Sequence, residues 1–248
     1  MHLRKRVALT AITPVLALMP FFTPASVATQ DATPTMTYSC ETVMAASPMA
    51  GMDGMDGMAM GTPAAADDHD MAEASVDFDQ LYIDMMMPHH ENIIALAQAA
   101  QDRLTDDRLV AIAENIVSSQ RAETEELRGY RDQWYGSQEG MPMDPSMMGM
   151  MMKMMPGMGD MTAMQEMMDP NALVASFCGA EDPDLAFIDF TIPHHQMAIT
   201  ASEAALEQAT HDEIRKIAER VIQGQQREID ELQMIRSELT GDGTPASA

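Results

Sequence analysis

The sequence predicts an all-α protein, a four-helix bundle made from two duplicated helical hairpins. Three observations carry this. First, the segment DFDQLYIDMMMPHHENIIALAQAA at Asp77 recurs as DPDLAFIDFTIPHHQMAITASEAA at Asp182, an offset of 105 residues. The offset continues without a gap and maps Ile116 to Val221, Gln120 to Gln225, Glu123 to Glu228 and Leu127 to Leu232. Second, apolar residues recur in each copy at steps of three and four, the period of a helix with one buried face. Third, a hairpin of about 60 residues is too small to bury its stripes alone, so the two are expected to share one core.

Residues 1–28 read as an export signal. Arg4, Lys5 and Arg6 form a basic start, Val7 to Phe22 an apolar stretch broken by Pro14 and Pro20, and Ser26-Val27-Ala28 a small-x-small cleavage site. The stretch is short and proline-broken for a membrane anchor, and no later segment is apolar enough to span a bilayer. Export to the periplasm or the extracellular space is the expectation. Cleavage after Ala28 leaves 11 basic against 39 acidic residues, a net charge of −28. Such a chain repels nucleic acid and anionic lipid and attracts cations, although charge of this size also serves solubility alone.

Residues 29–75 are rich in Ala, Gly, Pro, Asp and Met without an apolar period, and are expected to form a disordered tail. Methionine is the compositional outlier, at 29 residues. Six lie between Met44 and Met60, mostly in MAGMDGMDGMAMG, and fourteen between Met141 and Met168. Core gap-filling would scatter them more evenly. Metal capture is one reading of the tracts; an oxidant sink and low-complexity drift are the others.

The first repeat spans 76–130. Phe78, Tyr82, Met85, His89, Ile93, Leu96 and Ala100 share one helical face. Gln101 to Asp106 is a polar break. A second helix then carries Leu109, Ala113, Ile116, Gln120, Glu123 and Leu127 on one stripe. A Met-rich connector at 131–180 is expected to be either a helix with Met on all sides or an unstructured scavenger. The second repeat, 181–240, places Phe187, Phe190, His194, Ala198, Ala201 and Ala205 on one stripe, and Ile214, Ala218, Val221, Gln225, Glu228 and Leu232 on the next. Thr210-x-x-Glu213 reads as a capping box opening that last helix. Pro88 and Pro193 are expected to kink their helices or to start new ones. Cys40 and Cys178 fit no zinc or thioredoxin spacing; a disulfide or, less in keeping with the context, thiolate ligation remain open.

The polar residues on the apolar stripes point to a site. A buried Gln or Glu needs a partner. If the first hairpin turns near Leu104, His89 lies level with Gln120 and within a turn of Glu123. The same count about Ala209 sets His194 level with Gln225. Each hairpin is thus expected to hold a His–Gln–Glu cluster. A single buried His is usually a satisfied core residue. Paired imidazoles that recur, with Met85 and Met86 four residues before His89 and His90, point instead to a metal. Imidazole with thioether suits Cu(I) or another soft ion such as Ag(I). The candidate ligands are His89, His90, His194, His195, Met85 and Met86. Gln120, Glu123, Gln225 and Glu228 would orient the imidazoles from behind. Adjacent residues project about 100° apart on a helix, so one His of each pair is expected inward and the other towards a neighbouring helix or the Met-rich segment.

YIDMMMPHHENII at Tyr82–Ile94 and FIDFTIPHHQMAI at Phe187–Ile199, with the later NIVSSQRAETEEL and VIQGQQREI, resemble the signature of the domain of unknown function 305 family over residues 76–240. That resemblance implies an exported bundle of ferritin-like shape, with His89, His90, His194, His195 and Met86 at the motif positions and a role in copper binding and resistance. Copper efflux proteins are the protein partners it suggests. The family's Met before the His pair is Thr191 in the second repeat, and the Met a turn after it is Leu96 and Ala201, which leaves the second site poorer in sulfur.

A binding protein that sequesters copper or silver without catalysis is therefore the expected function. A metal-dependent oxidase of the ferritin-like type needs Glu three residues before His on core helices, which no His here has. His-Glu-x-x-His is also absent. A metal-free bundle that packs or binds a partner is the remaining alternative.

Overall fold

The computed structural model describes residues 38–46, 77–142, 144–157 and 169–241. The export signal and most of the expected tail lie outside these residues. Among those described, every regular element is helical: α1 (Cys40–Ala46), α2 (Phe78–Ala100), α3 (Asp107–Tyr135), α4 (Pro145–Met154), α5 (Pro170–Cys178), α6 (Pro183–Gln208) and α7 (Asp212–Thr240). The all-α class is as the periodicity dictates, and α2–α3 and α6–α7 are the two hairpins. None of the described helices is long and apolar enough to cross a membrane.

Aspartate starts most of these helices. The side chains of Asp77, Asp106, Asp144, Asp169 and Asp182 each accept a backbone N–H from the first turn they precede, satisfying donors that have no partner inside the helix. The last helix departs from this and from the expected capping box. Its N-cap is His211, with no side-chain cap, because the Thr210 hydroxyl is drawn to Asp79, 2.6 Å away. Gly136 and Gly241 end α3 and α7 with φ of 76° and 75°, a left-handed conformation that glycine adopts without Cβ strain. They too are 105 residues apart. Neither Pro88 nor Pro193 starts a new helix; α2 and α6 run through them.

α2 and α6 form the centre. α2 is buried on nearly all sides, whereas α3 and α7 bury the single stripe their period marks. The core falls into two parts along the bundle. One joins Phe78 to Met87 of α2 with Met197 to Ala205 of α6, and includes Met147, Met148 and Met151 of α4 and Met155 just after it. The other joins Ile93 to Ala100 of α2 with Phe187 and Ile188 of α6, and its buried members include no methionine. The start of α2 thus lies beside the end of α6: the two helices run antiparallel and cross near His89 and His194.

The crossing is two-fold in character. Asp79 of the first repeat, fully buried, accepts from Thr210 N and His211 N of the second at 3.0 and 2.8 Å. Asp184 of the second repeat accepts from Thr105 N of the first at 2.8 Å and from its hydroxyl. These are the same contact, exchanged by the 105-residue offset. Each hairpin fastens the turn of the other.

Two expectations are corrected outside the bundle. Residues 40–46, within the stretch read as a disordered tail, form α1. Val43 packs on Ala95, Ala99 and Val174, and Cys40 is disulfide-bonded to Cys178 at the end of α5. The connector is neither Met on all sides nor unstructured over α4, whose Met147, Met148 and Met151 face the core while Lys153 is exposed. Residues 158–168 lie outside the described residues.

Candidate functional site

All four histidines of the two pairs are buried, none more than 1% exposed. In each pair one ring faces the other hairpin and one faces a neighbouring helix, and both lie inside protein because α2 and α6 are enclosed by the outer helices as well as by each other. His89 and His194 meet across the two-fold axis, ring centroids 3.7 Å apart and planes inclined by 35°. His90 and His195 turn towards the outer helices. His90 Nε2 lies 3.0 Å from Glu123 Oε2, and His195 Nε2 lies 2.7 Å from Glu228 Oε2. The carboxylate partner in each hairpin is thus the second histidine rather than the first. Asn115 of the other hairpin donates to Glu228 Oε1 at 2.6 Å, a contact that neither periodicity nor the repeat signals, since the offset places Arg220 at the equivalent position.

The first histidine of each pair has no such support. Neither ring nitrogen of His89 or His194 makes a well-formed hydrogen bond among the described residues; each ring has the other residue's backbone as a weak polar neighbour. Burial pushes both imidazoles well below the usual histidine range, and the neighbouring histidines push the same way. Both rings are neutral at physiological pH, with a lone pair available. His90 Nδ1 and His195 Nδ1 are likewise bare. Gln120 and Gln225 are buried on the stripes as expected, and their amide atoms also have no hydrogen-bond partner.

Met85 and Met86 are buried beside this layer. They belong to the half of the core that holds Met87, Met147, Met148, Met151, Met155 and Met197. Met197 was not singled out by the sequence reading. Its position three residues after His194 is the signal that could have found it. Among the described residues no three His, Cys, Asp or Glu side chains are grouped to hold a metal, so any ion in the layer would need sulfur or amide donors as well. Imidazole nitrogens without hydrogen-bond partners, in a core with buried thioethers, are donors that suit a soft, low-coordinate ion. Leaving the nitrogens unpaired costs about 1–3 kcal/mol for each buried group.

The family model described as Domain of unknown function (DUF305) matches twice, over residues 25–131 and 79–236. Among solved structures, the chain is similar to a DUF305 protein of Streptomyces coelicolor inferred to be secreted, at 20% identity and a TM-score of 0.52, covering 65% of this chain and 93% of that one. It is also similar to CopM in its Cu(I)-bound form, at 24% identity and a TM-score of 0.50, covering 65% and 96%. A DUF305 fragment from Deinococcus radiodurans gives 22% identity and a TM-score of 0.50, covering 64% and 95%. At these identities the likeness is one of fold. No curated protein matches the sequence.

Proposed function

The chain belongs to the DUF305 family, and on that footing we propose that it is an exported protein that binds and sequesters a soft metal ion, Cu(I) or Ag(I), without turning over a substrate. The observation that carries the reading is the layer of imidazole nitrogens without hydrogen-bond partners on His89, His90, His194 and His195, in a core rich in buried methionines. A buried histidine kept for packing satisfies its nitrogens, and two of these four satisfy neither. Glu123 and Glu228 hold His90 and His195 through Nε2. That leaves Nδ1 as the donor atom, the usual division of labour in a carboxylate-supported imidazole ligand. CopM, which shares the fold, has been crystallised with Cu(I) and with Ag. A soft ion would supply the inward donors with the acceptor they lack.

The acidic surface supports cation attraction outside the cell, and the Met tracts of the tail and connector support capture on the way to the bundle. Titration of the mature protein with Cu(I) against a competing chelator tests the reading. Binding tighter than that of a Met-free acidic control, weakened when His89 and His90 are replaced, is expected. Binding no tighter than the control's would overturn it.

A further inference from the structure

The two His–Glu pairs are related by the 105-residue offset, yet one of them is also held from the opposite hairpin. Glu228 of α7 accepts on both carboxylate oxygens: Oε2 from His195 Nε2 at 2.7 Å, and Oε1 from Asn115 Nδ2 of α3 at 2.6 Å. Glu123 of α3 lies 3.0 Å from His90 Nε2, and among the described residues no second hydrogen bond reaches it. Arg220 stands where a two-fold copy of Asn115 would be. It pairs instead with Glu126, one turn beyond Glu123, and both of those side chains are exposed. The long guanidinium overreaches the carboxylate that a short amide in its place would meet.

Asn115 turns its amide nitrogen to Glu228, since its amide oxygen there would meet a carboxylate oxygen with no proton between them. A carboxylate only accepts, so the proton of the bond to His195 belongs to Nε2. Nδ1, which has no hydrogen-bond partner, is left as the ring atom open to a ligand. A carboxylate held at one oxygen can swing about its own side-chain bonds and carry the imidazole with it; one held at both oxygens cannot. His195 therefore has a fixed ring, whereas His90 depends on Glu123 alone. Asn115 is itself exposed, so its side chain does not fill the core. The second repeat has the greater need of a fixed ring, because Thr191 replaces Met86 and no methionine precedes its histidines in the motif.

Resting on the metal-binding reading above, we infer that Asn115 is a positioning residue for the second repeat's histidine. Reaching across from the first hairpin, it locks Glu228 and, through it, the tautomer and orientation of His195. Partners of this kind, one step removed from a metal ligand, set which ring nitrogen is offered. The donor of the second repeat is thus set only when the two hairpins are docked, while the donor of the first is set within its own hairpin.

NMR of the histidine ring nitrogens in the full mature chain, at one fixed pH and first without metal, tests this. Wild-type His195 should show a single tautomer with its proton on Nε2. Asn115→Ala removes the amide, and Asn115→Asp keeps its shape but not its donor; both should give His195 a mixture of tautomers and leave His90 as it was. With Ag(I) as probe, both should weaken the response of His195 by about tenfold and spare that of His90. A His195 tautomer unchanged in both variants, an Asn115→Asp protein that behaves as wild type, or equal changes at His90 would overturn the inference and leave the soft-metal reading standing. Failure of Ag(I) to shift any of the four histidines in the wild type would remove the soft-metal reading, while the metal-free spectra would still decide whether Asn115 sets the ring.

Discussion

Asp79, at the start of α2, holds the entrance of α7 through both its oxygens: Thr210 N lies 3.0 Å from Oδ1, and Thr210 Oγ1 and His211 Nδ1 each lie 2.6 Å from Oδ2. Burial alone would raise this carboxyl, but the hydrogen bonds from Thr210 and His211 outweigh it and hold its pKa below the ordinary value. Asp79→Ala strands several buried donors and should cost about 2–4 kcal/mol, measured by urea unfolding at pH 7. The depressed folded-state pKa means that this stabilisation is present above the unfolded value of about 4 and is lost as the pH falls through the folded one. Wild-type stability should therefore drop below about pH 4 more steeply than that of Asp79→Asn.

The His89–His194 pair predicts a second pH dependence of different origin. Both rings titrate well below the ordinary histidine range when folded. Between that lowered value and about 6.5 the unfolded chain binds protons that the folded one refuses, so stability falls as the pH drops through this window. The slope approaches about 1.4 kcal/mol per pH unit for each ring. His89→Gln with His194→Gln should flatten the metal-free stability profile between about pH 5 and 6.5; an unchanged slope would contradict the burial argument.

Two ion pairs related by the 105-residue offset should differ in worth. Asp84 and Arg131 meet at 2.7 Å with both side chains buried, and Asp84 also receives the Met141 N–H at 3.2 Å. Asp189 and Arg236 meet at 2.8 Å with side chains 52% and 43% exposed. Arg131→Ala leaves a buried charge and should cost about 3–5 kcal/mol, whereas Arg236→Ala should cost less than about 1 kcal/mol. Denaturant midpoints of the two variants, compared side by side, read the difference directly.

Reducing the Cys40–Cys178 disulfide opens a loop closed across 138 residues. The expected loss is about 2–5 kcal/mol. The effect should be felt first at α1, which among the described residues is held to the bundle mainly by Val43, Tyr38 and Cys40 and by the Tyr38 N–H to Gln98 Oε1 bond at 3.2 Å. Hydrogen exchange should show α1 amides losing protection before those of α2.

Methionines of equal chemistry should oxidise unequally. Met44 and Met234 are about half exposed, whereas Met86, Met151 and Met155 are shut in. Limited peroxide treatment followed by peptide mapping should find sulfoxide at the first two well before the last three.

The repeat made the fold legible. Every apolar position marked on α2 and α7 proved buried, because a helix period and a gapless offset leave little freedom. Phe190 is only half-buried, since it lies at the margin of the second core where no outer helix covers it fully. The cluster was legible in membership but not in pairing. Counting residues about the turn sets His89 level with Gln120, yet it cannot say which adjacent ring faces the same hairpin and which faces the other. That depends on how α2 crosses α6, a relation between segments far apart in sequence. The Thr210 capping box failed for the same reason: a local motif predicted a local bond, and a buried carboxylate from the other repeat claimed the hydroxyl.

The exchanged aspartate clasps make this chain an intramolecular dimer. Its halves recognise one another through contacts that do not involve the peptide that joins them. An ancestral single hairpin would have met a copy of itself in the same way, each lending its aspartate to the other's turn. Fusion into one polypeptide freed each half to change alone, and co-expressed halves should still find each other and rebuild the whole.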